Sequence, residues 1–172
     1  MILKAGDPKL IKVETEDRDI GSSAFLNDLG KLKSALNEYG GMGIAAPQLG
    51  ITRRLLLIES KPNERYPNAP FINLIVIANP QIISSSVHLE EDWEGCLSVE
   101  GQRVKISRPI EVTFTFQDEV GLQQEMTLEG FGARIFFHEY DHLEGLTILD
   151  RAKDPVDVIS NEDYFEMIAK TI

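Results

Sequence analysis

Between Ala24 and Tyr39, leucines return every three or four positions, at Leu26, Leu29, Leu32 and Leu36. That spacing predicts an amphipathic helix near the N-terminus, with Ser22 or Ser23 placed to cap it and Gly40-Gly41 to stop it. The period then changes. Leu55 to Ile58 and Phe71 to Ala78 are short, nearly continuous apolar runs, which predict buried strands parted by a loop from Lys61 to Pro70. Val112, Phe114 and Phe116 alternate with Thr113, Thr115 and Gln117, a strand with one wet face. Asp118-Glu119-Val120-Gly121 turns the chain, and Leu122 to Leu128 returns beside it. Gly130-Phe131-Gly132 introduces a second helix, from about Ala133 to Leu143, ending at Gly145. The elements together predict an α+β fold, mainly antiparallel strands packed around helices.

Composition narrows the setting. A chain of 172 residues with no visible linker reads as one domain over residues 1–172, long enough to bury a core unaided. Its net charge of −11 argues against nonspecific binding to nucleic acid or an anionic membrane. A single cysteine, Cys96, cannot form an internal disulfide, so nothing points to secretion. Met1 to Pro8 turns polar too soon for a signal peptide, and the longest apolar run, Phe71 to Ala78, is broken by Asn73 and far too short for a membrane span. The expectation is a soluble cytoplasmic protein. From Asp154 onward the chain is acidic, with one short helical stretch, Glu162 to Lys170.

The chemistry is concentrated in His138-Glu139-Tyr140-Asp141-His142. Residues four apart share a helix face, so both imidazoles can reach one metal ion, and Glu139 stands ready as a general base. Catalytic metals commonly take three protein ligands and keep one open position. The third ligand is Cys96, in Glu94-Gly95-Cys96-Leu97-Ser98, or a downstream acid such as Glu144. Glu144 lies two residues past His142 and projects away from the histidine face, which favours Cys96. Glu94 and Asp141 are candidates to support the ligands from behind. Gly43 lets backbone come close to an extended peptide, and Met42, Leu97, Phe131 and Ile135 could line an apolar pocket.

Three motifs, in order along the chain, now carry a resemblance. Gly41-Met42-Gly43-Ile44-Ala45-Ala46-Pro47-Gln48, Glu94-Gly95-Cys96-Leu97-Ser98 and His138-Glu139-Tyr140-Asp141-His142-Leu143 with Gly145 resemble those of the peptide deformylases. The likeness covers about residues 1–151. It implies a central metal-binding helix and removal of the formyl group from formyl-methionyl peptides of new proteins. It also implies one divalent ion on Cys96, His138 and His142, with water in the fourth position. Fe2+ is the expected ion in the cell, with Zn2+, Ni2+ or Co2+ in isolated protein. Glu139 would be the base, and the Gln48 amide and Leu97 N–H would steady the oxyanion. Met42, Gly43 and Glu94 would meet the substrate.

Two positions depart from the family. Phe137 stands where a glutamine is usual, which leaves rate and specificity open, and Glu100 replaces a common proline and could alter preference beyond methionine. The short acidic tail implies no basic helix for docking on ribosomal RNA, so contact with the ribosome would be transient. A metallopeptidase using the same histidine pair is one alternative, but it leaves the first two motifs unexplained. A catalytically silent metal- or peptide-binding module on the same fold is another.

Overall fold

The computed structural model describes residues 1–170. In chain order they form α1 (Ser23–Tyr39), β1 (Gly43–Ala45), β2 (Leu55–Ser60), β3 (Ile72–Ser85), β4 (Leu89–Cys96), β5 (Val99–Pro109), β6 (Glu111–Gln117), β7 (Gln123–Glu129), α2 (Gly130–Leu143), α3 (Ile148–Arg151), β8 (Val158–Ser160) and α4 (Asn161–Ala169). A 3-10 turn, Ala46–Leu49, follows β1 directly. Five strands pair antiparallel in the order β1-β2-β3-β6-β7, and a second sheet runs β4-β5-β8. Among the described residues no helix is long and apolar enough to cross a membrane.

β2 explains why the larger sheet carries a helix on each face. Leu55 and Leu57 point into one cluster with Phe25, Leu29, Leu32 and Leu36 of α1. Leu56 and Ile58 point into another with Ala133, Phe136 and Leu143 of α2. Successive side chains on a strand face opposite ways, so a strand covered on both sides needs an unbroken apolar run. The Phe136 ring stacks on Phe114 of β6 at 4.0 Å between centroids, which seats α2 on the sheet.

Local chemistry sets the helix ends. Ser22 Oγ accepts the Phe25 N–H, and Gly40, at φ 65°, ends α1 while its N–H donates to Leu36 O. α2 ends in a Schellman motif: the Leu146 N–H donates to Asp141 O and the Gly145 N–H to His142 O, with Gly145 at φ 76°. That stop fixes the end of the helix just after its second histidine.

Several expectations need correction. The buried stripe of α1 begins at Phe25, and Leu26 is half exposed. α2 starts at Gly130, three residues before Ala133. Phe71, read as part of a buried strand, is 82 % exposed, and β3 runs past Ala78 to Ser85. A bulge at Asn79 and Pro80 carries it on: Asn79 takes φ 48°, and the register shifts between Ala78 and Gln81. β4 and β5 have no counterpart among the expected elements, yet β4 delivers Cys96 to the site.

Candidate active site

α2 places His138 and His142 one turn apart, and the end of β4 brings Cys96 to them. The Cys96 sulfur and one ring nitrogen of each histidine lie within 4.8 Å of one another. Cys96 Sγ is 3.5 Å from His142 Nε2. A thiol and two imidazoles at this spacing fit a transition-metal ion, and no fourth side chain joins them among the described residues. Glu144 stands outside the cluster, where it accepts from Arg54 Nη2 at 2.9 Å.

The histidines are held differently. Glu94 Oε1 sits 2.8 Å from His138 Nδ1, which keeps a proton on that nitrogen and turns Nε2 toward the site. Burial works against protonation of His138, but Cys96, Glu94 and Glu139 outweigh it and raise its pKa well above the ordinary value. Burial, reinforced by the positive charges of His138 and Arg108, pushes His142 down to about 3. A neutral ring is the form that ligates.

Behind the ligands lies a buried charge network that the sequence did not announce. Glu94 accepts from Arg108 Nε at 2.9 Å and Nη2 at 3.0 Å, and from Arg134 Nη1 at 2.8 Å. Arg108 Nη1 also donates to Asp141 Oδ2 at 2.8 Å, and Asp141 accepts from Arg151 as well. Burial alone would raise the Glu94 carboxyl; hydrogen bonds from His138 and Arg108 hold it well below the usual carboxylate range. Both Glu94 oxygens are thus engaged in supporting a ligand. Asp141, ambiguous in the sequence, belongs to the same support.

Glu139 is the counterpoint. Its Oε2 is buried with no hydrogen-bond partner, and Oε1 is 4.0 Å from His138 Nε2. Burial, together with the charges of Glu94 and Asp141, pushes its carboxyl up to about 7 against the pull of His138 and Arg108. A carboxyl poised near neutrality can both take and give a proton. Across the cleft, Gln48 Oε1 accepts the Ala45 N–H at 2.9 Å, while Nε2 donates to Ser98 Oγ at 3.2 Å and lies 3.9 Å from Cys96 Sγ. Leu97 occupies the turn between β4 and β5, next to the thiol.

The family model for polypeptide deformylase matches residues 1–157. The chain belongs to this family. It is 36% identical over 169 residues to a peptide deformylase 2 of Nostoc, covering 98% of this chain and 94% of the relative. A peptide deformylase 2 of Shewanella oneidensis is 46% identical over 125 residues, 73% and 69% of the two chains. Among solved structures, a class I type b peptide deformylase of Acinetobacter baumannii bound to Met-Ala-Ser superposes with a TM-score of 0.84 at 33% identity, covering 88% of this chain and 96% of that one. This chain is therefore a hydrolase that removes the formyl group from formyl-methionyl peptides of newly made proteins, and deformylases are metalloenzymes.

The two departures from the family pattern now have locations. Phe137 is partly buried and packs edge-on against Phe136 at 5.9 Å, alongside the α2 core. Glu100 is exposed and pairs with Lys4 at 2.6 Å. Met42, Phe131 and Ile135 gather with the α2 core, whereas Leu97 packs with the α1 core.

Gly43 has a steric role beside any role in binding. A Cβ there would fall 2.8 Å from Glu139 Cγ and 2.9 Å from Oε1, closer than a methyl can sit. Gly43→Ala in this deformylase is expected to displace the Glu139 carboxylate and lower kcat/KM by about 10- to 100-fold, since small misplacements of catalytic groups are costly. Steady-state kinetics beside a thermal melt would separate that displacement from general unfolding.

Proposed function

We propose that Cys96, His138 and His142 hold one divalent ion, Fe2+ in the cell, and that Glu139 is the general base of the deformylation. The observation that carries this reading is the close triangle of ligand atoms with a buried carboxylate beside it whose Oε2 has no hydrogen-bond partner. When bound, the ion would supply Lewis acidity that polarises the formyl oxygen and acidifies the attacking water. Glu139 accepts the water's proton and returns it to the departing nitrogen. Gln48 Nε2 and the Leu97 N–H are the donors for the oxyanion. The pinning of Gln48 Oε1 by Ala45 supports this, because it turns the donating Nε2 toward Ser98 Oγ and the Cys96 sulfur. Glu94 holds His138, and through it the metal.

Among the described residues β1 pairs only with β2, so its other edge has no strand partner. A formyl-methionyl nascent peptide laid along that edge would meet Met42 and Gly43 with its backbone, and the formyl carbon would come to Glu139. The protein works as a single domain in the cytoplasm. It meets the ribosome only transiently, because α4 carries Glu162, Asp163 and Glu166 and offers RNA no basic face.

Formate release from formyl-Met-Ala-Ser by anaerobically prepared protein tests the reading. Chelation is expected to abolish turnover and Fe2+ to restore it. Zn2+, Ni2+ or Co2+ would also occupy the same ligands in isolated protein. Cys96→Ser is expected to lose metal and at least about 100-fold in activity, as it removes one of three ligands. Full activity in metal-free protein would overturn the reading.

A further inference from the structure

The turn between β4 and β5 leaves its backbone groups outside the ladder. The strands close on the Cys96–Val99 pair, so the carbonyls of Leu97 and Ser98 have no strand partner and need another. One segment near the start of the chain takes both. Lys4 Nζ donates to Leu97 O at 3.0 Å, and the Ala5 N–H donates to Ser98 O at 2.8 Å. The same segment reaches the Gln48 loop, where the Leu3 N–H donates to Gln48 O at 2.8 Å. The Gln48 amide bond to Ser98 Oγ closes the circuit. The Leu97 N–H, in contrast, has no acceptor among the described residues.

Three consecutive residues therefore tie together the two groups read above as oxyanion donors, which lie 49 positions apart. We propose that residues 3–5 act as a strap that sets the geometry of the oxyanion hole, with Lys4 as its positioning residue. This rests on the proposed roles of Gln48 and Leu97. Cys96 anchors the peptide plane that carries the Leu97 N–H. Lys4 anchors the next plane through Leu97 O, so the backbone between them cannot swing. Glu100, 2.6 Å from the Lys4 ammonium, holds that ammonium over the carbonyl. Lys4 and Glu100 are 49% and 76% exposed at their side chains, so the pair adds little to stability. Its influence is on direction. An oxyanion donor works only when aimed at the position where charge develops.

The test compares Lys4→Met, Lys4→Arg and Gln48→Ala in the Fe2+ enzyme with formyl-Met-Ala-Ser. Lys4→Met is expected to lower kcat roughly 10-fold with KM held within about twofold, because a misaimed donor weakens the transition state more than the bound substrate. Metal content and thermal midpoint should match wild type, and Lys4→Arg, which keeps a cationic donor, should recover most of the rate. Unchanged kcat in Lys4→Met, or a fall matched by lost metal or a lower midpoint, would overturn the strap. Gln48→Ala keeps the two failures apart. If it costs about 10²–10³ in kcat while Lys4→Met costs nothing, the oxyanion reading stands and the strap alone falls. If neither variant loses rate, both fall.

Discussion

Glu139→Gln is expected to lower deformylation of formyl-Met-Ala-Ser by about 10²–10⁴-fold, the usual range for removing a general acid–base group. The substitution keeps the shape of the side chain and removes only its ability to carry a proton. Three features of this carboxylate make the loss large. It is buried, its Oε2 has no hydrogen-bond partner, and burial pushes its pKa up to about 7, where acceptance and return of a proton are both accessible. The metal should stay, since Glu139 is not one of the three ligands. Stability should hold or rise, because a buried carboxylate whose Oε2 has no hydrogen-bond partner is a cost that the amide largely avoids. The measurement is kcat for both proteins at matched iron content, with thermal midpoints alongside. A silent binding module would be indifferent to the change; a loss below tenfold would remove Glu139 from the role of base.

The site was legible where its logic is local. Two histidines four apart on a helix declare themselves in five residues, and the glycine stop at Gly145 is equally plain. Cys96 came from elimination and from the motif around it. The strand that carries it was hidden, because the face of β4 that includes the buried Glu94 also carries the exposed Glu90 and Asp92 rather than valines or leucines. An alternation of acids does not look like a strand until the arginines that face it are known. β5 did leave a signal in Val104, Ile106 and Arg108, which share one face, with Arg108 at the end where an apolar residue would be expected. The expected strand stopped at Ala78, whereas Asn79-Pro80 serves as a bulge inside a longer one. What no local pattern could supply was the pairing of Arg108 with carboxylates 14 and 33 positions away. Long-range ion pairs have no period.

That pairing sets the largest expected loss of stability. Arg108→Met is expected to destabilise the protein by about 3 kcal/mol or more, within the range found when one partner of a buried charge pair is removed. Arg108 is 4 % exposed and gives Glu94 two hydrogen bonds and Asp141 one. Methionine keeps an unbranched apolar stem but is shorter and offers no donor. Glu94 keeps Arg134 and His138, and Asp141 keeps Arg151, so neither carboxylate is wholly abandoned. Arg108→Lys should recover little, because one ammonium cannot reproduce a guanidinium fork spanning two acids.

Arg151 supplies the contrast. It contacts the same Asp141 but is 45% exposed at its side chain, so Arg151→Ala should cost no more than about 1 kcal/mol. The pH dependence follows from Glu94, whose ordinary value is 4.5 and whose folded carboxyl is held well below it. A depressed folded pKa stabilises fully above 4.5 and loses that contribution as the pH falls toward the folded value. The gap between wild type and Arg108→Met should therefore be widest at neutral pH and narrow in acid. Urea unfolding at pH 7 and below pH 3 would measure it. Metal affinity should fall about 10- to 100-fold in the same variant, since a loosened Glu94 no longer fixes His138. A variant as stable as wild type that still lost metal would assign Arg108 to the site alone; loss of both would make the charge network one element serving fold and metal together.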